Sequence, residues 1–223
     1  MDTANKEWHG RHRMPPRSPL TRENCMKLLN ASVQPGDLFY IPAIDQTGDY
    51  GFVIARYIEL IKPNLGHLIE VFSAFHTTPP ACIEDVDTSS RLFRPVMCSL
   101  AFQLIPRWKI LFSDPSYDKS RSGYQDIAIA FERELWKGGI CLPLEDKDYP
   151  AYEDATCWRM HHLIFRVYAH LAGLLGPNDA YDYHSLPADQ RVDSPEAQAR
   201  VIDVAATIDR LSRSWQISRK AKA

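Results

Sequence analysis

The chain has 223 residues, 45% of them hydrophobic and 24% charged, with a formal net charge of −2. Those proportions belong to ordinary globular proteins and argue against a disordered or fibrous chain, and the near balance of charge argues against the basic face of a dedicated nucleic-acid binder. The length suits one large domain, or one domain with an appendage, and either buries a sizeable core.

In chain order, Met1 to Leu20 (MDTANKEWHGRHRMPPRSPL) is rich in His, Arg and Pro, with no apolar run behind its basic residues. It reads as a flexible lead-in and not as a signal peptide. A short helix is expected at Thr21–Asn30, with Thr21 as cap and Met26 and Leu29 on one face. From Pro35-Gly36 the signal sharpens. Leu38-Phe39-Tyr40-Ile41 is a strand by its β-branched and aromatic content, closed by Pro42. Asp45-Gln46-Thr47-Gly48-Asp49 is turn chemistry, Tyr50–Leu60 a longer strand, Lys62–Gly66 another turn, and His67–Phe72 an alternating strand. Turns this short make an antiparallel meander, because parallel neighbours need long crossovers. Further strands are expected at Met97–Leu104, Trp108–Phe112 and Asp126–Phe131, and Thr77–Arg91 reads as a loop.

Gly138-Gly139 breaks the strand pattern, and the period then changes. Met160, Leu163, Ile164, Val167, Tyr168, Leu171, Leu174 and Leu175 recur at three- and four-residue steps, which predicts an amphipathic helix started by Asp154 and stopped by Gly176-Pro177. A second helix begins at Ser194-Pro195-Glu196, with Ser194 as N-cap, and carries the stripe Ala197, Val201, Val204, Ala205, Ile208, Leu211 and Trp215. Each stripe needs a partner surface. The fold class is therefore mainly β (α+β overall), a curled antiparallel sheet or small barrel from about Val33 to Phe131 with the C-terminal helix pair packed on it. The expected organisation is a lead-in over 1–20, a mainly-β domain over 21–140 and a helical arm over 141–223.

Motifs for catalysis are missing: no G-x-S-x-G, no phosphate loop, no G-x-G-x-x-G after a strand and no H-E-x-x-H. Glu153, Cys157 and His161 fall at four-residue steps and would share one helix face, yet no second pair completes a zinc site, and buried structural roles fit them better. The five cysteines, Cys25, Cys82, Cys98, Cys141 and Cys157, are an odd number at scattered spacings. Reduced thiols in a cytosol are the simpler reading. No stretch is long and apolar enough to span a bilayer; the best, Tyr50–Ile61, is interrupted by Arg56 and Glu59. Cytoplasmic residence follows as an expectation.

The run Leu144–Asp154 (LEDKDYPAYED) is acidic, carries Tyr149 and Tyr152, and sits where the β region meets the helices. It reads either as a solvated linker with an acidic first helical turn, or as a partner-facing patch in which tyrosines anchor and carboxylates steer. On the second reading Glu145, Asp146, Asp148, Tyr149, Tyr152, Glu153 and Asp154, with the loop carboxylates Glu84, Asp85 and Asp87, are the contact candidates for a protein partner.

Two resemblances bear on function. Cys25 upstream of Pro35-Gly36-Asp37-Leu38-Phe39 is similar to the start of NlpC/P60-type cysteine peptidases, which implies a thiol nucleophile and a histidine base. The strand Tyr50–Leu60 carries no histidine, and nothing in the spacing argues for His67 or His76 in that role. The wider pattern resembles the immunity protein 26 family of bacterial polymorphic-toxin systems over residues 34–136. It is carried by Pro35-Gly36-Asp37-Leu38-Phe39-Tyr40-Ile41-Pro42, then Tyr50-Gly51-Phe52-Val53-Ile54-Ala55-Arg56, then Ile69-Glu70-Val71-Phe72. Arg94-Pro95, Trp108-Lys109-Ile110 and Ser116-Tyr117-Asp118 look like that family's second half. The resemblance implies a non-enzymatic antitoxin that binds and blocks a cognate toxin domain and needs no cofactor; the incomplete ligand set, the charge balance and the lack of a spanning stretch set the further expectation of no metal and no nucleic-acid or membrane partner. The helical arm lies outside that pattern.

Overall fold

A computed structural model describes residues 26–61, 66–100 and 104–215. The lead-in and Cys25 lie outside the described residues. The strands in chain order are β1 (Asp37–Ile44), β2 (Tyr50–Ile61), β3 (Gly66–His76), β4 (Val96–Ser99), β5 (Ile110–Ser113), β6 (Ala128–Phe131), β7 (Glu134–Lys137), β8 (Ile140–Pro143), β9 (Glu153–Asp154) and β10 (Cys157–Arg159), followed by α1 (Met160–Leu171) and α2 (Pro195–Ser212).

The expected meander is present. β1 pairs antiparallel with β2, and β2 with β3. The β1–β2 turn is closed by the Asp45 carboxylate, which accepts from the N–H groups of Thr47 and Asp49 at 2.9 Å each. β1 does not stop at Pro42, because β5 pairs with β1 only from Asp37 to Phe39. The Tyr40 N–H donates to Lys109 at 3.4 Å on that side, so the missing donor of Pro42, two residues on, falls beyond the end of β5. With β4 on β3 and β10 parallel on β4, the large sheet runs β10-β4-β3-β2-β1-β5, and a second sheet runs β8-β7-β6-β9 with β9 parallel to β6. The architecture is mainly β with register shifts bending the long strands, and both sheets stay open, so the barrel alternative does not apply.

Several boundaries differ from expectation, each for a tertiary reason. Residues 26–30 are extended: Ile110 donates its N–H to Lys27 and Leu29 donates to Trp108, both at 2.8 Å, so this segment covers the β5 edge where a helix end was expected. Gly138-Gly139 does not end the β region. It is the two-residue turn of the β7–β8 hairpin, with φ of 55° and 96° that only glycine adopts freely. Asp154 does not start α1, because Glu153–Asp154 and Cys157–Arg159 are drawn into the two sheets and the helix begins at Met160. It ends at Leu171, with Gly173 at φ 71°. α2 begins as expected: the Ser194 hydroxyl accepts from the Ala197 N–H at 3.2 Å.

The arm over 141–223 is thus not helical throughout; its first part supplies β8, β9 and β10 to both sheets. Its helices join the main core. Met160, Leu163, Ile164, Phe165, Val167, Val201, Val204 and Ile208 are buried with Phe39, Tyr40, Ile41, Phe52 and Trp108 in one cluster. A second cluster, built on Ile58, Leu68, Met97, Tyr124, Ile129 and Trp136, seats the small sheet against β2–β4. Among the described residues no helix is long and apolar enough to cross a membrane.

Two buried ion networks stitch these parts. Glu70 accepts from Arg56 (2.8 Å), Arg91 (2.8 Å) and the Ser122 hydroxyl (2.6 Å). Glu153 accepts from both terminal nitrogens of Arg166, at 2.5 and 2.9 Å.

His170 on α1 is buried against Phe93, and burial, then the nearby Arg166 charge, pushes its pKa down from 6.5 to about 4. Between those values the unfolded chain binds the proton and the folded chain does not, so the contribution of His170 is full above pH 6.5 and is lost as pH falls towards 4. The melting temperature should therefore fall across that window. His161 is pushed down by burial in the same way, to about 4, so wild type alone does not isolate the effect. A His170→Gln variant should show a shallower fall, and an unchanged pH slope would rule His170 out.

Candidate functional site

The small sheet carries the candidate site. The β6–β7 turn is Glu132-Arg133, and Glu134 opens β7, so charged side chains crowd one end of the sheet. The Leu144 N–H donates to the Arg133 carbonyl at 2.9 Å, which returns the acidic segment to this same end. A 3₁₀ turn over Asp146–Ala151 follows, containing Pro150. β9 then runs parallel to β6, with Asp154 beside Ala130.

This pairing folds Tyr149 back onto the sheet. Its hydroxyl donates to the Asp154 carboxylate, which also accepts from the Thr156 hydroxyl. The bond to Asp154, then burial, pushes the Tyr149 pKa up to about 12, so it stays a protonated donor with a fixed ring. The result is a groove of about 570 Å³ lined by Phe131, Glu132, Arg133, Glu134, Tyr149, Asp154, Ala155 and Thr156. Three carboxylates face one guanidinium around two aromatic rings. In the same sheet β8 lies at the edge with no further strand among the described residues, and Ile140 (60% exposed) and Leu142 (39% exposed) share one of its faces. Cationic side chains with an apolar stem suit such a surface: the carboxylates take the charge and the rings the stem.

The structure distributes the expected contact residues unevenly. Tyr149 and Asp154 line the groove, and Glu145 and Asp148 are exposed on the segment beside it. Glu145 is in a fully solvated pair with Lys147, which contributes little. Asp146 opens the 3₁₀ turn. Tyr152 is half-buried and lines a different cleft. Glu153 is a correction: it is 4% exposed and locked to Arg166, so it cannot contact a partner in this fold. Glu84, Asp85 and Asp87 occupy a loop whose Ile83 and Val86 pack on the main core, apart from the small sheet. There Asp85 accepts from the Cys82 thiol at 3.1 Å, and the Ser89 side chain and N–H hold the Asp87 carboxyl below its usual range. The acidic candidates therefore fall into two groups, one on each core.

Glu132, Glu134 and Phe131 were missed by sequence reasoning. A Phe-Glu-Arg-Glu run looks like any solvated turn, and only the parallel β6–β9 pairing sets it beside Tyr149.

Glu153, Cys157 and His161 do not share a helix face, since they sit in β9, β10 and α1. Among the described residues no group of three His, Cys, Asp or Glu could hold a metal. Cys82 and Cys98 are buried, Cys141 and Cys157 exposed, and all four are free. Burial holds both His67 and His76 below the ordinary histidine value. Set against known proteins, the chain matches no family model, no curated protein and no solved structure.

Proposed function

We propose that this chain is an immunity protein that binds and neutralises a cognate bacterial toxin domain in the cytoplasm, by occupancy and without a cofactor. The observation that carries the reading is the groove between the β6–β7 turn and Tyr149, where a preset tyrosine and Phe131 are rimmed by Glu132, Glu134 and Asp154. Rigid aromatic anchors inside a charged rim are what a specific protein contact needs. A toxin acting on nucleic acid must present cations to phosphate, and a carboxylate rim covers them. The resemblance of residues 34–136 to the immunity family supports the same reading.

The direct test is co-expression with the product of the neighbouring gene, scored by growth. Rescue that needs this chain supports the reading; continued killing, with the chain folded and abundant, overturns it. The groove makes a finer prediction. Tyr149→Ala should weaken toxin binding by about thirtyfold, on the order of 2 kcal/mol, mainly through faster dissociation. Changing Glu132 and Glu134 to Gln together should slow association and flatten its salt dependence, as expected of rim charges. Surface-plasmon resonance at several salt concentrations separates the two, and unchanged rates in both variants would remove the groove from the interface.

A further inference from the structure

A second cleft, also about 570 Å³, opens where β6, β7 and β9 meet the segment entering β4 and the loop leaving α1. Its character is opposite to that of the acidic groove. Arg91, Arg94 and Lys137 all line it. Arg91 is partly committed, giving Nε to Glu70 and Nη2 to the Ser122 carbonyl. Arg94 is not: its Nη1 is buried with no partner among the described residues. That nitrogen is sealed from solvent, so what the cleft offers a ligand is the rest of the half-buried Arg94 guanidinium, which is in no ion pair among the described residues. Two carboxylates also line the cleft, and neither neutralises Arg94. Glu153 is held by Arg166, and Asp126 stands 88% exposed, 3.9 Å from Lys137. Apart from Asn178, the remaining wall is apolar or aromatic, including Phe93, Pro95, Pro177 and the ring of Tyr152. The volume falls within the range of small-molecule sites.

We propose that this cleft binds a phosphorylated small molecule of about mononucleotide size. Its phosphate would lie on Arg94 and Lys137 with Arg91 behind them, and its flat or apolar body on Tyr152 and Pro177, which are more exposed than Phe93 and Pro95. Guanidinium is the side chain whose planar donors best match phosphate oxygens. The cleft is separate from the acidic groove, and the inference does not depend on the toxin-binding reading.

The test uses the full-length protein titrated with AMP, ribose 5-phosphate and adenosine, followed by calorimetry and by amide shifts in a ¹⁵N spectrum. AMP and ribose 5-phosphate should bind and adenosine should bind at least tenfold more weakly, with shifts grouped at Gly123, Lys137 and Asn178. Arg94→Gln with Lys137→Gln should lower AMP affinity at least tenfold. Neither residue holds a buried ion pair, so the fold should tolerate both changes. Should the double variant fail to fold, the wild-type shift map decides alone. Failure of both phosphates to bind, adenosine binding as tightly as AMP, shifts grouped elsewhere, or full affinity in a folded double variant would each overturn the proposal.

Discussion

A chain ending at Asp148 is expected to lose its cooperative unfolding transition and to self-associate. The loss would reach both sheets. β9 and β10 go with the truncation, leaving β6 and β4 as bare edges. The helices that cover β1 and β2 go as well, together with Trp215, whose ring lies 4.9 Å from Phe52 and 5.4 Å from Tyr40. Lys109 loses Asp209 at 2.8 Å and the Ser212 hydroxyl at 2.5 Å, and remains charged beside an uncovered sheet. Each large apolar side chain returned to water costs about 1.5–3 kcal/mol, and a handful of these exceeds the roughly 5–15 kcal/mol by which a domain is stable. β1, buried along its whole length, would then expose a contiguous apolar face, which drives association. Size-exclusion chromatography and a thermal melt measure both effects. A monomeric fragment with the wild-type melting temperature would show that the arm is a separate module.

The limits of reading this fold from its sequence are local in origin. β1, β2 and β3 were legible because aromatic and β-branched runs lie between turns such as Asp45–Asp49, and contact order along the meander is low. α2 was legible because Ser194-Pro195 caps it and its stripe is regular. By contrast β9 and β10 are two and three residues long, and each pairs in parallel with a strand far away in sequence. No local pattern encodes such a pairing. The same absence of local signal hid half of the acidic groove, since Tyr149 and Asp154 meet Glu132 and Glu134 only through β9. One local clue to β9 does stand in the sequence. Arg166 stands inside the apolar run Leu163-Ile164-Phe165-Arg166-Val167, where a charge needs a buried partner, and an acidic residue shortly before the helix was the natural donor of that partner.

That partner is Glu153, and removing it should be among the most damaging single changes in the molecule. Arg166 is 0% exposed and Glu153 4% exposed, and the guanidinium lies 4.5 Å from the ring centre of Phe93 and 5.1 Å from that of Trp158. The pair ties β9 of the small sheet to α1, which packs on the large one, so it acts across the whole fold. Glu153→Ala leaves a full charge in an aromatic enclosure, and breaking one side of such a pair costs about 3–5 kcal/mol. The pair itself is less well satisfied than its short distances suggest, because Nε of Arg166 is buried with no partner among the described residues. Exchanging both members for apolar groups of similar volume, Glu153→Leu with Arg166→Met, should therefore recover most of the loss. Urea unfolding at neutral pH gives the three stabilities to compare. A Glu153→Ala variant within about 1 kcal/mol of wild type, or a double variant less stable than Glu153→Ala, would mean that charge burial is not what fixes β9 in place.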